Sequence, residues 1–140
     1  MNTKDVGIET ELIVLTKLVN LGYTVSQPYG DNAPYDFILD NGKKLLKIQV
    51  KTAEKRQNNS LRISLSKRTG SKRLKRQKYH NLKIDGVIAY SKTNNEFYYI
   101  NLHKYKIAEI HLRDKKTTKK ELKTMNFTED FLLETILKNI

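Results

Sequence analysis

Segment 34–51 reads Pro-Tyr-Asp-Phe-Ile-Leu-Asp-Asn-Gly-Lys-Lys-Leu-Leu-Lys-Ile-Gln-Val-Lys. It sets a carboxylate, an amide and amines at spacings that can gather them around one point. Asn41-Gly42 is a strong signal for a two-residue hairpin turn, because both central residues of that turn need positive φ. With that turn, Asp40 faces Lys43 and Asp36 faces Lys47. Side chains alternate along a strand, so Asp36, Lys47, Gln49 and Lys51 share one face while Leu46, Ile48 and Val50 take the other. Asp36 and Gln49 are then diagonal neighbours, roughly 7–8 Å apart at the backbone. A cation fits between such a carboxylate and amide oxygen, with an ammonium group beside it. The same alternation also fits an ordinary half-solvated strand, in which Asp36 and Lys47 form only a cross-strand ion pair.

The elements that position this hairpin can be read on either side of it. A helix is expected from about Asp5 to Leu21, with Ile8, Leu12, Leu15 and Val19 at helical spacing and Val14 and Leu18 thickening the stripe. The stripe is expected to hold the helix on the sheet, with Gly22 ending it. Glu9 and Glu11 lie in the first turns, where the helix dipole favours acids. Glu11 borders the apolar stripe and can lean over the sheet. Residues 23–26 read as a short strand and 28–34 as a loop. Residues 60–66 alternate strictly and read as a third strand of the same sheet. Residues 85–90 and 96–100 read as a hairpin across 92–95. Lys67 to Lys78, with seven basic residues, reads as a mobile loop or a short basic helix. A capping box at 118–121 and the acids Glu129 and Asp130 mark C-terminal helix starts, with Phe131, Leu132, Ile136 and Leu137 as an apolar face.

Composition narrows the partners. The chain has 140 residues, 27 Lys and Arg against 15 acids, and a net charge of +12, which points to a polyanion and first of all to nucleic acid. No apolar run approaches the ~18 residues of a membrane span, and the N-terminus lacks the apolar core of a signal peptide. An intracellular protein of cytoplasm or nucleoid, with no membrane partner, is the expectation. The absence of cysteine excludes disulfides and zinc–thiolate sites. His80, His103 and His111 show no metal-ligand spacing. No acid lies between Lys55 and Tyr79, so Lys67, Arg68, Lys72, Arg73, Lys75, Arg76 and Lys78 are the expected phosphate contacts. Arg62, on a wet strand face with Ser64 and Ser66, can enter a groove.

Three motifs together carry a resemblance. They are Gly-x-x-x-Glu at Gly7–Glu11, Tyr35-Asp36 at a strand start, and Gln49-x-Lys51 on the next strand. With Gly22-Tyr23-Thr24-Val25-Ser26-Gln27-Pro28 and Gly30-Asp31-Asn32-Ala33-Pro34, this set resembles the PD-(D/E)XK nuclease superfamily, in its group I intron-associated homing branch. The likeness spans about residues 5–100. Tyr35 stands where the motif's name has proline, and Gln49 where most members carry an acid. The resemblance implies an α/β fold with a restriction-endonuclease-like core, a central mixed sheet flanked by helices. It implies one nuclease domain over 1–140, with a basic insertion at about 67–78 and a C-terminal helical extension at about 117–140.

The implied activity is metal-dependent hydrolysis of DNA phosphodiesters, with Glu11, Asp36, Gln49 and Lys51 as active site. Asp36, Glu11 and Gln49 would hold Mg²⁺, which prefers oxygen ligands. Lys51 would orient or deprotonate the attacking water, or stabilise transition-state charge. One site cuts one strand, so double-stranded DNA calls for a homodimer or homotetramer. Phe97-Tyr98-Tyr99 and Phe131-Leu132-Leu133 are possible contacts between copies, or else plain core. A Holliday junction resolvase acting on branched DNA and a non-catalytic DNA-binding protein are the alternatives.

Overall fold

A computed structural model of the chain describes residues 2–69, 75–116 and 125–140. Helix α1 (Thr3–Asn20) begins where the Asn2 side chain accepts the Asp5 N–H, and it ends before Gly22, whose φ of 88° only glycine adopts without strain. The strands are β1 (Thr24–Ser26), β2 (Phe37–Asp40), β3 (Leu45–Thr52), β4 (Glu54–Lys55), β5 (Ser60–Ser64), β6 (Ser66–Thr69), β7 (Lys75–Lys78), β8 (Gly86–Ser91), β9 (Glu96–Asn101), β10 (Glu109–Arg113) and β11 (Asn126–Phe127). Short 3₁₀ turns lie at Gln57–Asn59, Tyr79–Leu82 and Thr128–Phe131, and α2 (Leu133–Lys138) follows the last of them.

Among the described residues these strands form a mixed sheet in the order β1-β2-β3-β8-β9, a second sheet in the order β11-β10-β5-β4, and the hairpin β6-β7. The first sheet is antiparallel except where β3 runs beside β8. One face of it carries Phe37, Leu39, Ile48, Val50, Ile88 and Tyr99, which pack against Val14 and Leu18 of α1 and Leu133 and Leu137 of α2. The other face carries Val87, Ala89, Tyr98 and Ile100, which pack against Leu61, Ile63, Ile110 and Leu112 of the second sheet. This is the restriction-endonuclease-like α/β arrangement that the sequence led us to expect.

Several local expectations are corrected. The buried row of α1 is Thr10, Val14 and Leu18, whereas Ile8, Leu12 and Val19 are each 57% exposed. The helix is apolar on more than one side, so spacing alone did not single out the face that packs. The strand at 60–66 breaks at Leu65 and belongs to the second sheet, where β10 pairs with it. The basic segment is neither loop nor helix where it is described: β6 and β7 pair antiparallel. Lys72 and Arg73 lie outside the described residues, as does the capping box at 118–121. The C-terminal segment adds strand β11 beside β10 before the turn and helix. Tyr98, Tyr99, Phe131 and Leu133 are buried within the chain, the plain-core alternative for the proposed contact surfaces.

The 34–51 hairpin differs in one detail that matters for the site. Its two-residue turn is Gly42-Lys43, closed by Asn41 N–H donating to Lys44 O at 3.2 Å. Of the turn residues only Gly42 has positive φ, 85°. The Asn41-Gly42 turn would need both, and Asn41 instead uses its side chain to accept the N–H groups of Lys43 and Lys44. The register therefore slides by two residues: Lys47 faces Ile38, and Asp36 lies beyond the ladder. A slide of two preserves which side chains share a face.

Candidate active site

Asp36 sits where β2 gives out and β3 continues. Its N–H donates to Ile48 O at 2.8 Å, and its Oδ2 accepts the N–H of Val50 at 2.8 Å. The carboxylate replaces the main-chain partner that Val50 would lose at the strand end. Asp85 does the same before β8, accepting Lys47 N–H at 2.8 Å and holding His103 Nε2 on its other oxygen. Asp36 lines a cleft of about 720 Å³, which Glu11, Gln49 and Lys51 also line, together with Thr52, Glu54 and Ser64. The sheet thus brings together all four residues that the motifs singled out, and all four are half-buried.

Helix α1 reaches this cleft because Thr10 Oγ1 and Thr52 Oγ1 share a hydrogen bond of 2.6 Å, which ties its first turns to the end of β3. Glu11 is the next residue, and Gln27 Nε2 approaches its Oε1 at 3.5 Å. Lys51 lies with its Nζ 5.2 Å from the centre of the Tyr79 ring.

The electrostatics tie these groups to one another. Burial raises the Asp36 carboxyl above its ordinary value, against the opposing pull of the Val50 amide and Lys51. Burial also raises Glu11, and the negative charge of Asp36 adds to it. Burial lowers the Lys51 ammonium; Asp36 opposes this, while Arg76 and Arg62 reinforce it. Tyr79 is raised by burial and by Asp36. Two neighbouring carboxylates destabilised as anions and a lysine destabilised as a cation form a set that a bound cation and a phosphate would relieve. Among the described residues no three His, Cys, Asp or Glu side chains converge as a metal-binding group. A cation here would therefore draw on Glu11, Asp36 and the neutral oxygen of Gln49.

The expected DNA contacts fall into two groups. Lys67 and Arg68 on β6, and Lys75, Arg76 and Lys78 on β7, stand on the exposed hairpin. Arg62 is instead bracketed by Glu109 and Glu54, with its side chain only 13% exposed. Those carboxylates engage its Nε and Nη1. Sequence reading had passed over Tyr79 and Glu54, and had given no role to Gln27 or Thr52. Each comes from a different element, Thr52 and Glu54 lining the cleft while Tyr79 touches Lys51 and Gln27 touches Glu11.

A sequence model described as PD-(D/E)XK endonuclease matches residues 1–134. The chain belongs to the PD-(D/E)XK endonuclease family. Its fold is similar to that of a bacterial homing endonuclease, I-Ssp6803I, with a TM-score of 0.79 and 23% sequence identity over 99% of this chain and 95% of that one. No functionally curated protein matches the sequence. No helix among the described residues is long and apolar enough to cross a membrane.

Proposed function

We propose that this endonuclease is a Mg²⁺-dependent enzyme of the homing type that cuts double-stranded DNA with Glu11, Asp36, Gln49 and Lys51. The observation that carries the reading is their convergence on one cleft beside an exposed basic hairpin. The donor set is all oxygen, two carboxylates and one amide, which suits a hard divalent cation. When bound, the ion supplies charge neutralisation at the phosphate and acidifies a water molecule. Asp36 presents one carboxylate oxygen to it because the other is held by Val50. Glu11 presents a second carboxylate, steadied by the Thr10–Thr52 tie. Gln49 adds no charge, so the site is less negative than one with three acids.

Lys51, destabilised as a cation by its burial, orients the attacking water or takes its proton. In the reaction the water oxygen bonds to phosphorus, one ester P–O bond breaks, and the departing oxygen gains a proton. The fold similarity to a homing endonuclease and the motif set support the homing assignment over that of a junction resolvase. We further propose one nuclease domain spanning 1–140, which works as a homodimer or homotetramer because one cleft severs one strand.

The test is incubation of the purified chain with Mg²⁺ on a pool of linear duplexes with randomised inserts and on a four-way junction. Cleavage of a recurring duplex sequence is expected. Asp36→Ala is expected to bind DNA without cutting it. Preferential cutting of the junction whatever its sequence would make the enzyme a resolvase. Equal inactivity of both proteins would leave only a DNA-binding role.

A further inference from the structure

The basic hairpin is joined to the reaction centre at its base. Ser64, at the end of β5, lines the cleft and donates its Oγ–H to Ser66 O at 3.0 Å. Ser66, 2% exposed, accepts Nη1 of Arg76 on its Oγ at 3.2 Å. Beyond β7, Tyr79 returns N–H to Leu65 O at 2.9 Å and lays its ring beneath Lys51. Arg76 is thus held by a buried serine, and among the described hairpin cations it is the one whose charge is felt at Lys51.

The hairpin register also sets Arg68 directly opposite Arg76. Like charges facing each other across a ladder destabilise it. Neither guanidinium makes an ion pair among the described residues. Two facing guanidinium groups of this kind form a receptor for an anion with several oxygens. Alternation puts Lys78 on the same face as both, and Lys67 on the other.

We propose that Arg76 is a catalytic residue, whose guanidinium contacts the phosphate being cleaved beside Lys51, with Arg68 completing the clamp. This rests on the nuclease reading above. The remaining hairpin cations hold the duplex backbone, whereas Arg76 acts on the reacting group. With only two acids and an amide to hold a cation, the cleft leaves more of the developing phosphate charge for the protein's own cations. A guanidinium fixed by a buried serine is preorganised to take it.

The experiment uses the duplex that the wild-type protein cuts best from the randomised pool. Single-turnover rates are measured in Mg²⁺ with enzyme in saturating excess, and Kd in Ca²⁺ by fluorescence anisotropy. Arg76→Ala should slow the bound-state rate by about 10²–10³-fold, the scale of losing one transition-state donor, while Kd changes far less. Added guanidinium ion should restore part of that rate saturably, and urea should not. Arg76→Lys, which keeps the charge and so guards against a loosened hairpin, should fall between the two. A weakened Kd with an unchanged saturated rate, or a slowed rate that guanidinium does not rescue, would overturn the role of Arg76 and leave the nuclease reading intact. Absence of cleavage by the wild-type protein would overturn both.

Discussion

Asp36 belongs both to the sheet and to the lining of the candidate site. One oxygen completes the ladder at Val50, in a residue that lines the cleft. Burial raises its carboxyl above the ordinary value, so the fold favours the protonated form. The stability contributed by such a group is complete below its unfolded pKa and is lost as pH rises through its folded pKa. Above its folded pKa the ionised carboxylate is therefore a burden on the metal-free protein. Asp36→Asn, which keeps an oxygen for Val50, should raise Tm in the presence of a chelator at neutral pH while abolishing cleavage. The gain should shrink as pH falls toward the ordinary carboxyl range. Calorimetry across that range checks it, and a lower Tm for the variant at neutral pH would contradict it. The type and spacing of Asp36, Gln49 and Lys51 were legible because a strand alternates regardless of what surrounds it. The fate of Arg62 was not, since Glu109 reaches it from a strand 47 residues away in the chain.

At the scale of elements, short-range pattern and long-range partnership separate cleanly. The 85–100 hairpin and its buried faces followed from local runs of apolar residues, and β8 and β9 pair as expected. The turn of the first hairpin was misplaced by one residue because Asn41 satisfies neighbouring amides without entering the positive-φ region. The packing face of α1 was misread because Ile8, Leu12 and Val19 are as apolar as the residues that pack, and only the sheet decides between them. Strand β10 alternates Ile110 and Leu112 legibly but was overlooked; that β5 pairs with it in a second sheet is a long-range fact.

Two glycines test this account of packing. A methyl group at Gly86 would lie 2.4 Å from the buried ring of Tyr99. Gly86→Ala should cost about 1–3 kcal/mol or more and lower Tm accordingly, as overpacking does. At Gly7, helical and with nothing within 4 Å, alanine should stabilise α1 by up to ~1 kcal/mol. Equal melting temperatures for the two variants would refute the assignment of one site as crowded and the other as open.

Across the whole molecule the excess of twelve positive charges is not spread evenly. The described hairpin strands carry five of the expected contacts, Lys67, Arg68, Lys75, Arg76 and Lys78, beside the cleft. DNA affinity should fall steeply with salt as condensed counterions are released. Lys78→Ala should reduce the magnitude of the log–log slope by about one and weaken binding to all sequences alike. Anisotropy titrations over a range of salt concentrations measure this, and an unchanged slope would remove Lys78 from the contact set. The cleft itself lies between the first turns of α1 and the end of β3, with Ser64 of β5 at its edge. Gln49 and Lys51 ride on the first leaf and Ser64 on the second, and the hairpin joins the two, leaving β5 of the second leaf and returning through Tyr79–Leu82 to β8 of the first. On the proposed reading, a duplex gripped by the hairpin would load both leaves at once, next to the strand that carries Gln49 and Lys51. Grip and scission would then share one frame, and the stiffness of that double tether would set how faithfully a held strand is presented for cutting.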